Sequence, residues 1–132
     1  KTNKLHYLGI EEKISAVMTS KEWPFTYWYA SFNLDSLEIM YEYEPDAQYD
    51  LIQKNALDKY QLVLDSSFIE GLHPSYDWIK QNPEIVKTFE KSLRPWTPNL
   101  YETMMSCFEK EFAGIITDFP EKALRARSRF KQ

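Results

Sequence analysis

The side chains best suited to chemistry in this sequence are two histidines, one cysteine and a block of carboxylates. His73 lies four residues before Asp77, with Ser75 between them, a spacing that could let an acid orient a general base. A histidine that precedes a proline at a helix start is more often a capping or loop residue, and we favour that interpretation. His6 has no catalytic pattern around it. We therefore assign no catalytic residue.

The single cysteine, Cys107, cannot form an intrachain disulfide. Its neighbours Met104, Met105, Phe108 and Phe112 are apolar, which predicts a buried and unreactive thiol. A zinc site would need both histidines and carboxylates from distant segments. The sequence also lacks the short motifs of nucleotide-binding, serine hydrolase, zinc protease and calcium sites. We predict no metal and no cofactor.

Acidic residues are concentrated between positions 22 and 53, where there are seven acids and no lysine or arginine. Nine aromatic residues lie in the same segment. A solvated face would explain the acids alone, and a catalytic or metal site would need a nearby base for substrate phosphates. Tyrosines beside carboxylates favour a surface that binds a basic partner. The predicted partner-binding residues are Glu38, Glu42, Tyr43, Glu44, Asp46, Tyr49 and Asp50.

The C-terminal residues 122–131 carry five bases and no acid. Bases at the end of a helix complement its dipole without any partner, which is the simplest interpretation. Contact with nucleic acid or acidic lipid, and pairing with the acidic segment, remain open alternatives.

The N-terminal half must position the acidic residues, and its pattern is mixed. Residues 9–20 predict a helix, because their apolar side chains recur on one helical face. Within residues 37–44 a period of two favours a strand, since Leu37, Ile39, Tyr41 and Tyr43 alternate with Glu38, Met40, Glu42 and Glu44. With residues 33–36 as a turn, residues 25–43 predict a β-hairpin, and a pair of helices is the alternative.

The remaining segments predict helices. Pro45 favours a helix start, followed by apolar residues at helical spacing to Tyr60, and residues 61–64 fit either a third strand or the end of that helix. Beyond Gly71 the predicted helices are 75–81, 83–93, 98–116 and 119–129. The predicted fold class is α+β and predominantly helical: a helical bundle with a possible small N-terminal antiparallel β-hairpin, with an all-α fold as the alternative.

Length and composition limit the class of protein. At 132 residues and 43% hydrophobic composition, the chain predicts one domain, 1–132, with a packed core. No apolar run reaches the roughly 18 residues that a membrane helix needs. Residues 1–10 have no apolar signal-peptide core, so we expect a cytoplasmic protein with no membrane partner.

Net charge −4, aromatic density and missing catalytic motifs together suggest a binding protein. The sequence-based hypothesis is a small acidic inhibitor, in its most concrete form an immunity-type antidote from a toxin–antitoxin pair that neutralises a basic toxin such as a nuclease. The expected partner is a basic protein, and nucleic acid is disfavoured by the acidic balance. The alternatives are a regulatory or structural subunit and, less favoured, a small enzyme that uses Asp or Glu.

Overall fold

The computed structural model describes residues 4–131, in which strands and helices alternate along the chain. Four strands form one sheet in the order β1-β2-β3-β4, and every neighbouring pair is parallel. The strands are β1 (Tyr29–Ser31), β2 (Tyr49–Gln53), β3 (Ile69–Pro74) and β4 (Ser92–Leu93). The helices are α1 (Ile10–Met18), α2 (Leu34–Tyr43), α3 (Tyr60–Asp65), α4 (Tyr76–Gln81), α5 (Pro83–Thr88), α6 (Tyr101–Glu109) and α7 (Pro120–Phe130).

The register places residues from all four strands side by side. Asp50 pairs with Ala30 on one side and Gly71 on the other, and Gly71 pairs with Ser92. An isolated parallel bridge from Ser75 to Trp96 extends the pairing of β3 with β4, and a second bridge from Trp96 to Ile116 adds a fifth segment to the sheet. The chain therefore runs five times in the same direction toward one end of the sheet.

The predicted hairpin over residues 25–43 is wrong, because α2 occupies most of its second half. The Asn33 carboxamide oxygen accepts from the backbone N–H groups of Asp35 (3.0 Å) and Ser36 (3.4 Å), which caps the helix. Leu37 and Met40 then bury one helical face. These contacts outweigh the weak repulsion between exposed carboxylates one turn apart.

The helix predicted from Pro45 to Tyr60 is also wrong, since its first part forms β2. β2 lies between β1 and β3, and its residues Tyr49, Asp50 and Leu51 are all buried. A strand buried on both faces loses the alternation that identifies strands in a sequence.

Two of the helices predicted beyond Gly71 are too long, and β4 occupies the end of the one predicted over 83–93. The helix predicted over 83–93 ends at Thr88, and that predicted over 98–116 is confined to α6. The fold is accordingly a parallel sheet with helices and not a helical bundle with an antiparallel hairpin. The helices predicted over 9–20, 75–81 and 119–129 are confirmed, with ends shifted by one or two residues.

The main core lies between one face of the sheet and its helices. Leu51, Leu72 and Leu93 form a row across the strands. They pack in one cluster with helical residues that include Leu37 and Trp78. A second cluster, centred on Met104, Ala123 and Ala126, joins α6 to α7.

The other face of the sheet is partly covered, since it holds the buried Asp50 and His73 as well as more exposed residues. Ala30 is exposed and Ile52 is half-buried, and the aromatic side chain of Trp28 is 41% exposed beside them. Within residues 4–131, no helix combines the length and apolar character needed to cross a membrane.

Candidate functional site

The carboxyl ends of the parallel strands form the best candidate site, because ligands of open parallel sheets bind at that end. Chain segments leave the sheet there after β1, β2, β3 and the bridge residues. We call this region the carboxyl edge. Its residues are Phe32, Gln53, Lys54, Ser75, Trp96, Asn99, Thr117 and Asp118.

Ser75 connects two parts of the carboxyl edge. Its hydroxyl donates to the backbone carbonyl of Lys54 at 2.7 Å and accepts from the backbone N–H of Trp78 at 3.2 Å. The same side chain therefore joins the end of β2 to the start of α4. The Lys54 side chain is exposed, so its ammonium group is accessible to a ligand.

Trp96 forms a wall of the carboxyl edge. Its indole N–H donates to the His73 carbonyl at 2.9 Å, and its backbone N–H donates to the Pro74 carbonyl at 3.0 Å. The backbone carbonyl of Trp96 accepts from the Tyr76 N–H at 2.7 Å. The Phe32 ring lies edge-on, with ring centroids 6.2 Å apart. The indole therefore contacts the backbone carbonyl of His73 and the side chain of Phe32.

Asn99 completes the carboxyl edge by joining the loop after β4 to the segment after Ile116. Its carboxamide oxygen accepts from the Thr117 hydroxyl at 2.9 Å and from the Asp118 N–H at 3.1 Å. Its amide group donates to the Asp118 carboxylate at 2.7 Å. The amide and carboxylate are therefore fixed relative to each other.

Three charged or polar side chains, Asp50, His73 and Arg94, meet in the sheet itself, and we call them the Asp50 cluster. The Asp50 Oδ2 atom accepts from His73 Nε2 at 2.7 Å and from Arg94 Nη1 at 2.6 Å. The Asp50 side chain is only 2% exposed. Gly71 leaves space for it, since a Cβ atom there would lie 2.7 Å from Asp50 Oδ1.

The contacts of His73 indicate which ring nitrogen donates to Asp50. An ionised carboxylate can only accept, so the Nε2 atom of His73 carries the proton. The Nδ1 atom is buried and has no hydrogen-bond partner among the described residues.

Asp77, which the sequence spacing placed near His73, instead pairs with Lys80 at 2.8 Å on the exposed surface of α4. The hydrogen bond and charge of Lys80 hold the pKa of Asp77 below its usual value. The structure thus gives His73 a different acid, Asp50, from an earlier strand.

The seven predicted partner-binding residues do not form one surface. Glu38, Glu42, Tyr43 and Asp46 are exposed on or after α2, where partner binding stays a prediction. The other three, Glu44, Tyr49 and Asp50, make internal contacts.

Glu44 and Tyr49 belong to a tyrosine cluster beside β1. The Glu44 carboxylate accepts from the hydroxyls of Tyr27 at 3.2 Å and Tyr29 at 2.5 Å. Burial, followed by the hydrogen bond to Glu44, raises the pKa of Tyr29. The Tyr49 hydroxyl donates to the backbone carbonyls of Met40 (3.0 Å) and Glu44 (2.8 Å). These tyrosines anchor α2 to the sheet.

Candidate metal ligands and the single thiol were the two remaining features that the sequence analysis raised. No group of three His, Cys, Asp or Glu side chains among residues 4–131 lies close enough together to hold a metal ion. Cys107 is fully buried, which confirms the sequence prediction. Burial raises the pKa of its thiol to about 11, and the nearby Lys110 charge opposes this only in part.

Sequence reasoning noted Ser75 beside His73 but assigned no residue of the carboxyl edge to a site. A usable pattern was present, because Leu51 and Ile52 are followed directly by Gln53 and Lys54. Such a change from apolar to polar residues is informative only once the segment is known to be a parallel strand.

Comparisons with known proteins point to one family. The model of the glycerophosphoryl diester phosphodiesterase family matches residues 1–122. The chain is 28% identical over 126 residues to the uncharacterised protein YqiK of Bacillus subtilis, covering 93% of this chain and 52% of that protein. It is 23% identical over 134 residues to a glycerophosphodiester phosphodiesterase of Bacillus altitudinis, covering 99% and 55%.

A solved structure supports the fold. The crystal structure of a glycerophosphodiester phosphodiesterase from Parabacteroides distasonis matches with a TM-score of 0.64 and 20% identity, over 80% of this chain and 44% of that one. At this identity the likeness shows the fold alone, a barrel-like parallel sheet with helices. The chain spans about half the length of the curated relatives it matches.

Proposed function

Since the chain belongs to the glycerophosphoryl diester phosphodiesterase family, we propose that it is part of an enzyme that hydrolyses phosphodiesters of glycerol. We propose further that the carboxyl edge is its contribution to the substrate site. The observation that carries the proposal is the family match over residues 1–122.

The sequence-based hypothesis of an immunity-type inhibitor is wrong. The family match and the named relative of Bacillus altitudinis point to an enzyme and not to an inhibitor or a toxin–antitoxin protein. The hypothesis depended on an acidic–aromatic surface, and the structure places Tyr49 and Asp50 of that surface inside the protein.

The position of the carboxyl edge supports this assignment. In barrels of parallel strands the active site lies at the carboxyl ends of the strands, in the loops that follow them. The carboxyl edge here is formed by the loops that follow β1 to β4 and by the segment after Ile116, and it carries hydroxyl, amide, carboxylate, ammonium and indole groups.

Lys54 is the residue we propose to meet the phosphate. A phosphodiester carries one negative charge, and a lysine ammonium binds phosphate oxygens as a compact point charge. Lys54 is exposed at the end of β2, and its backbone carbonyl is held by Ser75. The stem of the side chain therefore starts from a fixed position.

The proposed hydrolysis forms one bond to phosphorus and breaks another. A water oxygen bonds to phosphorus, the bond from phosphorus to one alcohol oxygen breaks, and the departing alcohol takes up a proton while the water loses one. The products are a phosphomonoester and an alcohol. The residues of this chain bind and orient the diester, which lowers the barrier by placing the phosphorus for attack.

The proposal is tested with the intact purified protein. A glycerol phosphodiester such as glycerophosphocholine is incubated with it, and released alcohol and phosphomonoester are quantified against time. We expect hydrolysis of the diester and none of the matching phosphomonoester, glycerol phosphate. Failure to cleave any glycerol phosphodiester in a folded, intact preparation would contradict the proposal.

A further inference from the structure

We propose that the three residues of the Asp50 cluster are positioning residues, which fix Trp96 at the carboxyl edge where the substrate binds. This inference rests on the proposed phosphodiesterase function for its effect on substrate. Its structural content, the coupling of a buried carboxylate to the Trp96 indole, does not depend on that function.

The first step is that one carboxylate connects three successive segments of the sheet. Asp50 lies on β2, His73 on β3, and Arg94 directly after β4. Both hydrogen bonds reach the same oxygen, Oδ2, at 2.7 and 2.6 Å. Because hydrogen bonds to charged groups are short and directional, they fix the relative position of the strands more tightly than apolar contacts would.

The second step is that the cluster is built to a tight fit. Gly71 faces the carboxylate, and any side chain there would displace it. The Arg94 guanidinium lies 4.8 Å from the centroid of the Trp28 ring, so its outer side is also held. The carboxylate and the guanidinium therefore have little freedom to shift.

The third step connects the cluster to Trp96. His73 donates from its side chain to Asp50, and its backbone carbonyl accepts from the Trp96 indole N–H at 2.9 Å. The Phe32 ring also lies edge-on to the indole. A change at Asp50 therefore reaches the indole through a single residue.

Energetics favour a positioning role over simple stabilisation. Removing a carboxylate and a guanidinium from water costs free energy that their attraction only partly repays, and apolar residues of similar size often stabilise as well or better. A buried ion pair that holds three segments in register is better explained by the geometry it imposes. The residues that this geometry fixes include Trp96, which lies at the carboxyl edge.

The test uses an isosteric variant and a matched control. Asp50→Asn keeps the shape of the side chain and removes its charge. Glu11→Gln is the control, because Glu11 is also a buried carboxylate, 3% exposed. Glu11 lies on α1, away from the cluster, and its carboxylate accepts from the Ser36 hydroxyl at 2.7 Å. Both variants are compared with the unaltered protein under conditions where all are folded by circular dichroism.

The first measurement is hydrogen exchange of the Trp96 indole N–H by NMR, with its signal assigned from the Trp96→Phe variant. We expect exchange to be at least about tenfold faster in Asp50→Asn, the size of effect that loss of one hydrogen bond produces. We expect no change in Glu11→Gln. Equal indole exchange in Asp50→Asn and the unaltered protein would overturn the inference.

The second measurement is the KM for a glycerol phosphodiester per mole of folded intact enzyme. A positioning role raises the KM of Asp50→Asn, whereas a purely structural role lowers only the amount of folded enzyme and leaves the KM unchanged. If the unaltered enzyme has no phosphodiesterase activity, the proposed function fails, and indole exchange still decides the coupling. If Asp50→Asn does not fold, Arg94→Lys replaces it, and unchanged indole exchange in that variant also contradicts the inference.

Discussion

At the scale of single residues, the type of a side chain did not predict where it lies in the fold. Asp50 belongs to an acidic segment and was predicted to lie on a partner surface, yet its carboxylate is buried against His73 and Arg94. The sequence separates the three by 23 and 44 positions, so no local pattern could reveal the contact. Gly71, one of three glycines, is explained only by the carboxylate opposite it.

Gly71 provides the first prediction. Gly71→Ala places a Cβ atom 2.7 Å from Asp50 Oδ1, and we expect a loss of about 2 kcal/mol in the free energy of unfolding, as is usual for overpacking. The measurement is equilibrium unfolding in urea. Gly114→Ala is the control, because its Cβ would meet Arg94 at an ordinary 3.7 Å, and it should change stability little. Similar losses in both variants would contradict the explanation.

Lys54 provides a prediction about substrate binding. If its ammonium group contacts the phosphate, Lys54→Ala should raise the KM for a glycerol phosphodiester about tenfold, since one charge-assisted contact is lost. Steady-state kinetics of the intact enzyme measure this. Lys13→Ala, which removes an exposed lysine from α1, is the control and should leave the KM unchanged. An equal KM in the Lys54 variant would remove that residue from the substrate site.

Cys107 provides a prediction about reactivity. Because the thiol is buried and its pKa is raised to about 11, only a very small fraction is thiolate at pH 8. We expect a thiol reagent such as 5,5′-dithiobis(2-nitrobenzoate) to label the folded protein far more slowly than the denatured protein. Rapid stoichiometric labelling of the folded protein would show that the helix pair around Cys107 opens.

At the scale of elements, caps and burial decided what residue patterns left open. Residues 37–43 alternate like a strand, but the cap from Asn33 and the burial of Leu37 and Met40 make them a helix. β2 shows the reverse, since Tyr49 and Ile52 fit a helical face in the sequence but lie in a strand. In both segments the deciding contact comes from outside the segment.

The cap of α2 gives a prediction at this scale. Asn33→Ala removes the acceptor for two N–H groups, and we expect a loss of about 1 kcal/mol in unfolding free energy. Urea denaturation measures it. Lys59→Ala is the matched control, because Lys59 is also an N-cap but makes no side-chain capping hydrogen bond. If the two variants are equally stable, the cap does not account for the choice of helix.

At the scale of the whole molecule, the chain packs around two separate clusters. The larger lies between the sheet and its helices, and the smaller joins α6 to α7. Regions joined to the rest by few buried contacts can open without global unfolding. The α6–α7 pair is such a region, whereas Leu51 and Leu72 lie in the centre of the sheet.

This arrangement predicts the pattern of backbone hydrogen exchange. The amides of β2 and β3 should exchange only by global unfolding, so their exchange rates should rise with urea in parallel with global stability. The amides of α7 should exchange faster and with a weaker dependence on urea. Hydrogen–deuterium exchange with mass spectrometry resolves both regions. Identical rates and urea dependence would mean that the two clusters unfold as one unit.

By itself, the sequence determined the starts of several helices, the burial of Cys107 and the absence of an intrachain disulfide. These properties are local: prolines at 83 and 120 begin helices, and the apolar neighbours of Cys107 predict its burial. Only the tertiary structure decided that residues 49–53 and 69–74 are parallel strands, because strands covered on both faces lose their alternating pattern. It alone brought Asp50, His73 and Arg94 together and aligned the ends of the strands into the carboxyl edge. Contacts between residues far apart in sequence are chosen by the packing of the whole sheet, and no short pattern can encode them.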